Sequence, residues 1–227
     1  NAWFLERQAQ VLADAGLERI NISLDTLNPE TFKKLSGGAP IEPVIAGIQA
    51  AVDAGISVKT NTVVVRGKND HELRSIADFI WRIGGTPRFI ELMPIGPGAQ
   101  LDMVPAAEIL QQFEVTPDHA DGEVRAGQGP ADYWRHRGDA RRVLGVIGAT
   151  TRNFCKTCNR IRITATGAVR ACLASADGVE LRPLLRDPTC DDEMVLDRLE
   201  EALFGKAQGH RFSDGVDGEN LMRAIGG

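Results

Sequence analysis

Three cysteines with metal-ligand spacing lie in one short stretch of the second half of the chain. Cys155 and Cys158 are separated by two residues, and Cys172 follows after thirteen more. Two thiolates two residues apart can reach the same metal ion or cluster from a single turn of backbone. The stretch therefore predicts a metal centre whose third ligand arrives from further along the chain.

The spacing leaves two kinds of metal centre open. A closed structural zinc site takes four ligands, and Cys190, separated from Cys172 by seventeen residues, could supply the fourth. On spacing alone this zinc interpretation is favoured. An iron–sulfur cluster held by only three thiolates would instead leave one iron open to a ligand. Three buried cysteines without any metal are the third alternative.

The residues between the second and third cysteines predict a β-hairpin. Apolar and polar side chains alternate over 160–165, Thr166-Gly167 is a turn signal, and 168–173 returns as the second strand. If the turn centres on these two residues, Cys172 lies opposite Ile161. The hairpin would then carry Cys172 back towards the first two cysteines.

Two arginines accompany the predicted metal centre. Arg160 and Arg162 alternate along the first strand of the hairpin, so they share a face, and two guanidinium groups side by side suit a phosphate or a carboxylate. Basic residues also crowd into this part of the chain: Arg135, His136, Arg137, Arg141, Arg142, Arg152, Lys156, Arg160, Arg162 and Arg170. The pattern indicates a local site for an anion rather than a track for a polyanion.

The elements that must position these groups begin with alternating helices and strands. Strands are predicted at 19–25, 58–65 and 88–95, with helices at 3–15, 28–37, 43–55 and 70–84. Asn69 or Asp70 is expected to cap the last of these helices. This order is typical of right-handed βαβ units and a parallel sheet. Three strands cannot close a barrel, which ordinarily takes about eight. We therefore expect an open sheet, or a barrel whose first strands lie upstream.

The character of the chain changes after a Gly- and Pro-rich loop at 94–98. One helix is predicted at 105–113 and another at 191–204, with short strand-like pieces and the cysteine hairpin between them. The second helix is expected to turn Val195, Leu199, Ala202 and Leu203 inward. We therefore predict one domain over 1–97 and a second over 98–227.

Functional side chains of a parallel sheet belong at the carboxyl ends of its strands. This rule selects Ser23 and Asp25 on the first strand, Lys59 and Asn61 on the second, and Glu91 and Met93 on the third. Each has an ordinary alternative: a serine can bond to backbone, a strand lysine can be solvated, and a methionine is more often in the core.

Composition excludes several classes of protein. The 227 residues carry a formal net charge of −5, and 43% are hydrophobic, as expected of a globular chain that does not bind nucleic acid in bulk. No apolar run is long enough for a membrane span. Cysteines in ligand spacing rather than disulfide spacing indicate the reducing cytoplasm.

Several runs of the chain together carry a family resemblance: Asn21-Ile-Ser-Leu-Asp25, Val58-Lys-Thr-Asn61, Phe89-Ile-Glu-Leu-Met-Pro94, the hairpin from Phe154 to Cys172, and the ending Ile225-Gly-Gly227. They resemble the GTP 3′,8-cyclase family of molybdenum cofactor biosynthesis. The resemblance covers the whole chain. It implies a partial β/α barrel of the radical S-adenosylmethionine type, followed by an α+β region with an iron–sulfur hairpin, and it replaces the zinc interpretation with a 4Fe–4S cluster.

The resemblance also implies roles for individual residues. Cys155, Cys158 and Cys172 match the ligands of a cluster whose open iron binds the purine of GTP. Residues matching GTP-binding positions are Lys59, Arg160, Ile161 and Arg162, and those matching positions that line the S-adenosylmethionine site are Ser23 and Met93. The implied chemistry is cleavage of S-adenosylmethionine, hydrogen abstraction from C3′ of GTP, and attack of C3′ on C8.

One feature of the family is missing from these residues. The Cys-x-x-x-Cys-x-x-Cys motif of the radical-generating cluster does not occur. We therefore expect the chain to be the C-terminal two thirds of such an enzyme, to lack turnover as given, and to expose a sheet edge that favours a homodimer. The implied partner is the downstream cyclic pyranopterin monophosphate synthase, with no nucleic acid and no membrane.

Two rival functions and one further site remain at this point. The rivals are a different radical S-adenosylmethionine enzyme with an auxiliary cluster, and a zinc-stabilised binding module built on all four cysteines. The further site is the tail: Gly226 and Gly227 have no side chains to obstruct a narrow pocket, and the resemblance implies that they reach towards the GTP site.

Overall fold

The fold is taken from a computed structural model that describes residues 2–118, 129–152, 154–155, 158, 160–172 and 178–204. These residues belong to two compact units. The first lies within Asn1–Leu92 and Asp102–Arg152, and the second within Met93–Leu101 and Asn153–Gly227.

The first unit is built on one mixed sheet. Its strands are β1 (Arg19–Ser23), β2 (Ser57–Val64), β3 (Thr86–Glu91), β4 (Val115–Pro117), β5 (Asp132–His136) and β6 (Asp139–Ile147), in the order β1-β2-β3-β6-β5-β4. The four strands β1, β2, β3 and β6 run parallel, and β5 and β4 continue the sheet antiparallel. The predicted α/β class with a parallel-rich sheet is confirmed.

Helices alternate with these strands as the sequence predicts. They are α1 (Leu5–Asp14), α2 (Pro29–Leu35), α3 (Glu42–Asp53), α4 (Leu73–Arg82) and α5 (Ala106–Gln111). Their apolar residues pack with one face of the sheet into a core that includes Ile22, Ile48, Val64, Ile80, Phe89 and Leu144. Along β2 every second side chain from Val58 to Val64 is buried in this way, and those between them are half-buried. One face of the sheet therefore packs against the helices and stabilises the fold, and the other face is available for binding.

The start of α4 differs from the prediction. We expected Asn69 or Asp70 to cap this helix, but the residue before it is Glu72, which makes no side-chain cap. Asn69 instead accepts from the Val65 amide at 2.8 Å and donates to the carbonyl oxygens of Asp25 and Val63. The buried Asn69 side chain stabilises the fold at this point, because it supplies hydrogen-bond partners to backbone groups where β1 and β2 end.

Two strand predictions also need correction. The third strand ends at Glu91 rather than residue 95, so Met93 lies beyond it. Pro94 has no amide hydrogen to donate to a neighbouring strand, so it cannot continue the ladder. The sequence pattern also missed β6, which lies beyond residue 97 and pairs parallel with β3.

The second unit contains a small antiparallel sheet and a helix. The strands are β7 (Arg162–Ile163), β8 (Ala168–Arg170) and β9 (Val179–Glu180), and the helix is α6 (Asp192–Phe204). Val169, Leu181 and Ala202 form its small buried core. The predicted inward residue Leu203 is instead 46% exposed.

The register of the hairpin is shifted by one residue from the prediction. Arg162 pairs with Arg170, which is inconsistent with Cys172 opposite Ile161. The cause is the turn: Thr164 donates to Ala168 at 2.8 Å, and Gly167, with φ of +89°, donates back to Thr164. The loop thus has three residues and places glycine in the left-handed region, where other residues are strained.

Candidate functional site

Polar side chains cover the face of the sheet that the helices leave open. Ser23, Asn61, Arg88 and Gly145 are neighbours in register across β1, β2, β3 and β6. Asn21 is likewise paired with Lys59, and Tyr133 with Gly145. Residues paired in register point to the same face of a sheet. We call this set the open-face cluster: Asn21, Ser23, Lys59, Asn61, Arg88 and Tyr133.

Lys59 reaches across the sheet to a tyrosine. Its Nζ donates to the hydroxyl of Tyr133 at 3.0 Å and lies 5.0 Å from the centre of that ring. Because β3 and β6 lie between β2 and β5, the two side chains meet over the intervening strands. The Lys59 ammonium therefore has a fixed place above the open face.

Arg88 crosses the same face in the opposite direction. Its Nη2 donates to Oδ1 of Asn21 at 2.7 Å, and the residue is only 7% exposed. Within the described part of the chain, Arg88 Nε and Asn61 Oδ1 are both buried with no hydrogen-bond partner. Buried polar atoms ordinarily have partners. This face thus offers a donor and an acceptor that a ligand could satisfy, together with the positive charges of Lys59 and Arg88.

The strand ends hold two carboxylates with different surroundings. Burial raises the pKa of Asp25, although the Val63 amide, which donates to its Oδ1 at 2.8 Å, partly offsets this. Glu91 is fully buried and accepts from the amides of Ala106, Thr150 and Thr151. These contacts make Glu91 part of the scaffold that closes the end of β3.

The three cysteines of the predicted metal centre are half-buried and lie in the second unit. The Cys158 amide donates to the Cys155 carbonyl at 3.2 Å, so the first two occupy one turn. Thiols at partly exposed positions fit the chemistry of a cluster ligand. Among the residues with described positions, however, no three His, Cys, Asp or Glu side chains are grouped closely enough to hold a metal ion.

The two arginines flank these cysteines. Arg160 is exposed and lies 5.1 Å from the centre of the Phe154 ring. Burial, and then the positive charge of Arg160, lower the pKa of Arg162, whereas Cys158 and Cys172 act in the opposite direction. The two guanidinium groups therefore interact with one another and with two of the thiols. Ile161 between them is 41% exposed.

Cys190 has surroundings unsuited to a metal ligand. Burial, followed by the carboxylates of Asp191, Asp187 and Asp192, raises the pKa of its thiol. Its Sγ donates to the carbonyl oxygen of Asp191 at 3.5 Å. A thiolate is the form that binds metal, so these contacts favour a cysteine that stays protonated.

The remaining predicted site residues divide between the units. Ser23 is exposed at the carboxyl end of β1, on the same face as Lys59 in the first unit, and Met93 is half-buried in the second. Gly226 and Gly227 lie outside the described residues. Sequence reasoning missed Arg88 and Tyr133.

Comparison with known proteins shows which families the chain resembles. Residues 86–212 match the family described as Molybdenum Cofactor Synthesis C, and residues 1–80 match the Radical SAM superfamily. A protein named GTP 3′,8-cyclase from Pelotomaculum thermopropionicum is 35% identical over an alignment covering 100% of this chain and 71% of that protein. The chain belongs to the GTP 3′,8-cyclase family.

Other members of the GTP 3′,8-cyclase family match to a similar extent. The relative from Streptomyces coelicolor is 39% identical over 98% of this chain and 67% of its own length. The relative from Hydrogenovibrio crunogenus is 36% identical over 95% of this chain and 66% of its own length. The chain thus spans about two thirds of the length of these relatives. Its two family matches meet between residues 80 and 86, where β3 begins.

A separate finding concerns membranes. None of the helices in the described ranges is both long enough and apolar enough to cross a bilayer.

Proposed function

We propose that the chain is the larger part of a GTP 3′,8-cyclase that converts GTP into (8S)-3′,8-cyclo-7,8-dihydro-GTP for molybdenum cofactor biosynthesis. The observation that carries this proposal is the similarity to proteins of that name along 95% or more of the chain. The open-face cluster supports it, because a nucleoside triphosphate needs both cations and precisely placed polar groups.

The proposal assigns the cofactors to particular residues. Cys155, Cys158 and Cys172 are the ligands of a 4Fe–4S cluster, and the cluster supplies an iron to which the purine of GTP can bind. Ser23 and Met93 line the site for S-adenosylmethionine, which is cleaved with the help of a second 4Fe–4S cluster. Three thiolates and no fourth protein ligand are the donor set that such an open iron requires.

The architecture and biological context are part of the same proposal. Residues 1–97 belong to the β/α barrel, and residues 98–227 contain the auxiliary cluster and the GTP-binding hairpin. The enzyme works in the cytoplasm as a homodimer, without nucleic acid or membrane, and passes its product towards cyclic pyranopterin monophosphate synthase. The tail residues Gly226 and Gly227 help to orient GTP.

Substitution of the hairpin arginines tests where GTP binds. Hydrogen bonds to charged groups contribute roughly 1.5 to 3 kcal/mol each, so Arg160→Ala and Arg162→Ala should each weaken GTP binding by about ten- to a hundredfold. The measurement is the Kd for GTP by titration calorimetry, on chain whose cluster has been reconstituted without oxygen.

A matched control is Arg198→Ala. Arg198 is a 46% exposed arginine on α6 that pairs with Glu201, so its loss changes net charge equally but should leave the Kd unchanged. Equal GTP affinity in all three variants and the wild type would show that the triphosphate does not bind at the hairpin.

A further inference from the structure

The hydrogen bond between Lys59 and Tyr133 joins residues from distant strands of the sheet. Tyr133 is 9% exposed, and its hydroxyl accepts from Lys59 Nζ at 3.0 Å, with the ammonium 5.0 Å from the centre of its ring. A lysine side chain is a flexible stem with many rotamers. Contact with both the hydroxyl and the ring of one buried tyrosine restricts those rotamers to a single direction.

The partner of Lys59 is neutral, which matters for anion binding. Among the residues described here, no carboxylate lies within salt-bridge distance of its ammonium, whereas Arg66 is bound by Glu108 at 2.7 Å. A carboxylate would neutralise the lysine, but a phenol oxygen and an aromatic face hold it and leave its positive charge intact. This arrangement fixes the position of the Lys59 ammonium and leaves its charge available to an anionic ligand.

A glycine makes room for this arrangement. A Cβ at Gly145 would lie 2.9 Å from Arg88 Cγ and 3.3 Å from Tyr133 Cε1. Both distances are shorter than ordinary carbon contacts, so any larger residue would displace the side chains that cross the face here. Gly145 thus lets the Tyr133 ring and the Arg88 stem lie flat against the sheet.

We propose that Tyr133 is a positioning residue that holds Lys59 in the orientation in which it receives a phosphate of GTP. The inference rests on the proposed function for the role of Lys59, and it adds a residue to which neither the sequence pattern nor the family resemblance assigns a role. Tyr133 acts on the substrate through Lys59, and its hydroxyl supplies no proton to the reaction.

The first test separates the hydroxyl from the ring. Tyr133→Phe keeps the ring below Lys59 and should weaken GTP binding by roughly fivefold, the factor of one net hydrogen bond. Tyr133→Leu also removes the ring and should weaken it by roughly twenty-five-fold. The measurement is the Kd for GTP by titration calorimetry on the reconstituted chain, with the thermal unfolding midpoint of each variant as a check on folding.

The second test is a double-mutant cycle with Lys59→Met. If Tyr133 acts through Lys59, Tyr133→Phe should cause no further loss once the lysine is gone. Lys34→Met, an exposed lysine on α2, is the matched control for loss of charge and should bind GTP as the wild type does.

A spectroscopic test uses the fact that Tyr133 is the single tyrosine of the chain. Protein labelled with ¹³C at the phenol carbon of tyrosine gives one resonance from this residue. Addition of GTP to the reconstituted chain, at a concentration that saturates each protein, should shift that resonance in the wild type and leave it in place in Lys59→Met. A residue with a merely structural role would give the same response in both proteins.

The outcomes distinguish this inference from the proposed function. Normal GTP affinity in Lys59→Met would overturn both the assignment of Lys59 and the role of Tyr133. Weak binding by Lys59→Met with normal binding by Tyr133→Phe would overturn the positioning role alone. A loss from Tyr133→Phe that persists without Lys59 would show that Tyr133 acts through the fold instead.

Discussion

Replacement of Cys172 with alanine should abolish the incorporation of iron into the reconstituted chain. Cys155 and Cys158 occupy one turn, and without the third thiolate two ligands cannot retain a 4Fe–4S cluster. Bound iron, measured by elemental analysis together with the broad visible absorption of the cluster, should fall from about four atoms per chain to near zero. The same loss is expected for alanine at either of the other two positions.

Cys190→Ala is the control that makes this result specific. The raised pKa of the Cys190 thiol and its bond to the Asp191 carbonyl favour a protonated side chain, so this variant should bind iron as the wild type does. The zinc-stabilised module gives the opposite result, because it needs all four cysteines. Colourless protein with one zinc, lost equally in Cys172→Ala and Cys190→Ala, would refute the cluster proposal.

The sequence predicts what depends on local pattern. Apolar periodicity gave α3 and β2 within one or two residues, and alternating strands and helices gave the parallel sheet. The pairing of β6 with β3 was missed because it joins segments separated by more than fifty residues, and nothing local to either strand encodes it. The predicted hairpin register was wrong by one residue, because the loop contains Ala165 in addition to Thr166 and Gly167, and this shifts every pair.

The candidate site likewise contains residues that sequence reasoning can identify and residues that it cannot. Strand-end reasoning selected Ser23, because the carboxyl ends of parallel strands are fixed by the fold class. Lys59 was named with it, but it lies near the amino end of β2 and shares the face of Ser23 through the alternation of side chains along the strand. Tyr133 could not be found in this way, since it lies 74 residues from Lys59 and on an antiparallel strand. Glu91 met the same strand-end criterion, yet both oxygens of its carboxylate already accept hydrogen bonds from backbone amides. Position at a strand end therefore identifies candidates, and hydrogen-bond partners decide among them.

Glu91→Gln should destabilise the first unit severely. The two carboxylate oxygens of Glu91 accept from three backbone amides, those of Ala106, Thr150 and Thr151, at 2.6, 2.7 and 2.8 Å, and from the Thr151 hydroxyl. Donors approach both oxygens, so a glutamine NH₂ group would face an N–H in either orientation. Glutamine has the same shape, which means that the effect arises from hydrogen bonding rather than from a cavity.

The expected cost is a large fraction of the stability of the fold. Hydrogen bonds to a charged group contribute about 1.5 to 3 kcal/mol each, and a buried donor without a partner costs about 1 to 3 kcal/mol. After relaxation, Glu91→Gln should lower the free energy of unfolding by about 3 to 4 kcal/mol, against a total of about 5 to 15 kcal/mol for a typical domain. These bonds tie the start of α5 and the turn after β6 to the end of β3, so the loss should be cooperative.

Urea unfolding of the iron-free chain, followed by tryptophan fluorescence, measures this effect directly. The three tryptophans, Trp3, Trp81 and Trp134, all belong to the first unit, so the signal reports the unit that contains Glu91. The matched control is Glu108→Gln: Glu108 pairs with Arg66, both side chains are 43% exposed, and exposed ion pairs contribute at most about 1 kcal/mol. Equal unfolding free energies for the two variants would mean that the amides around Glu91 find other partners, and its carboxylate would then be available for the chemistry of the strand ends.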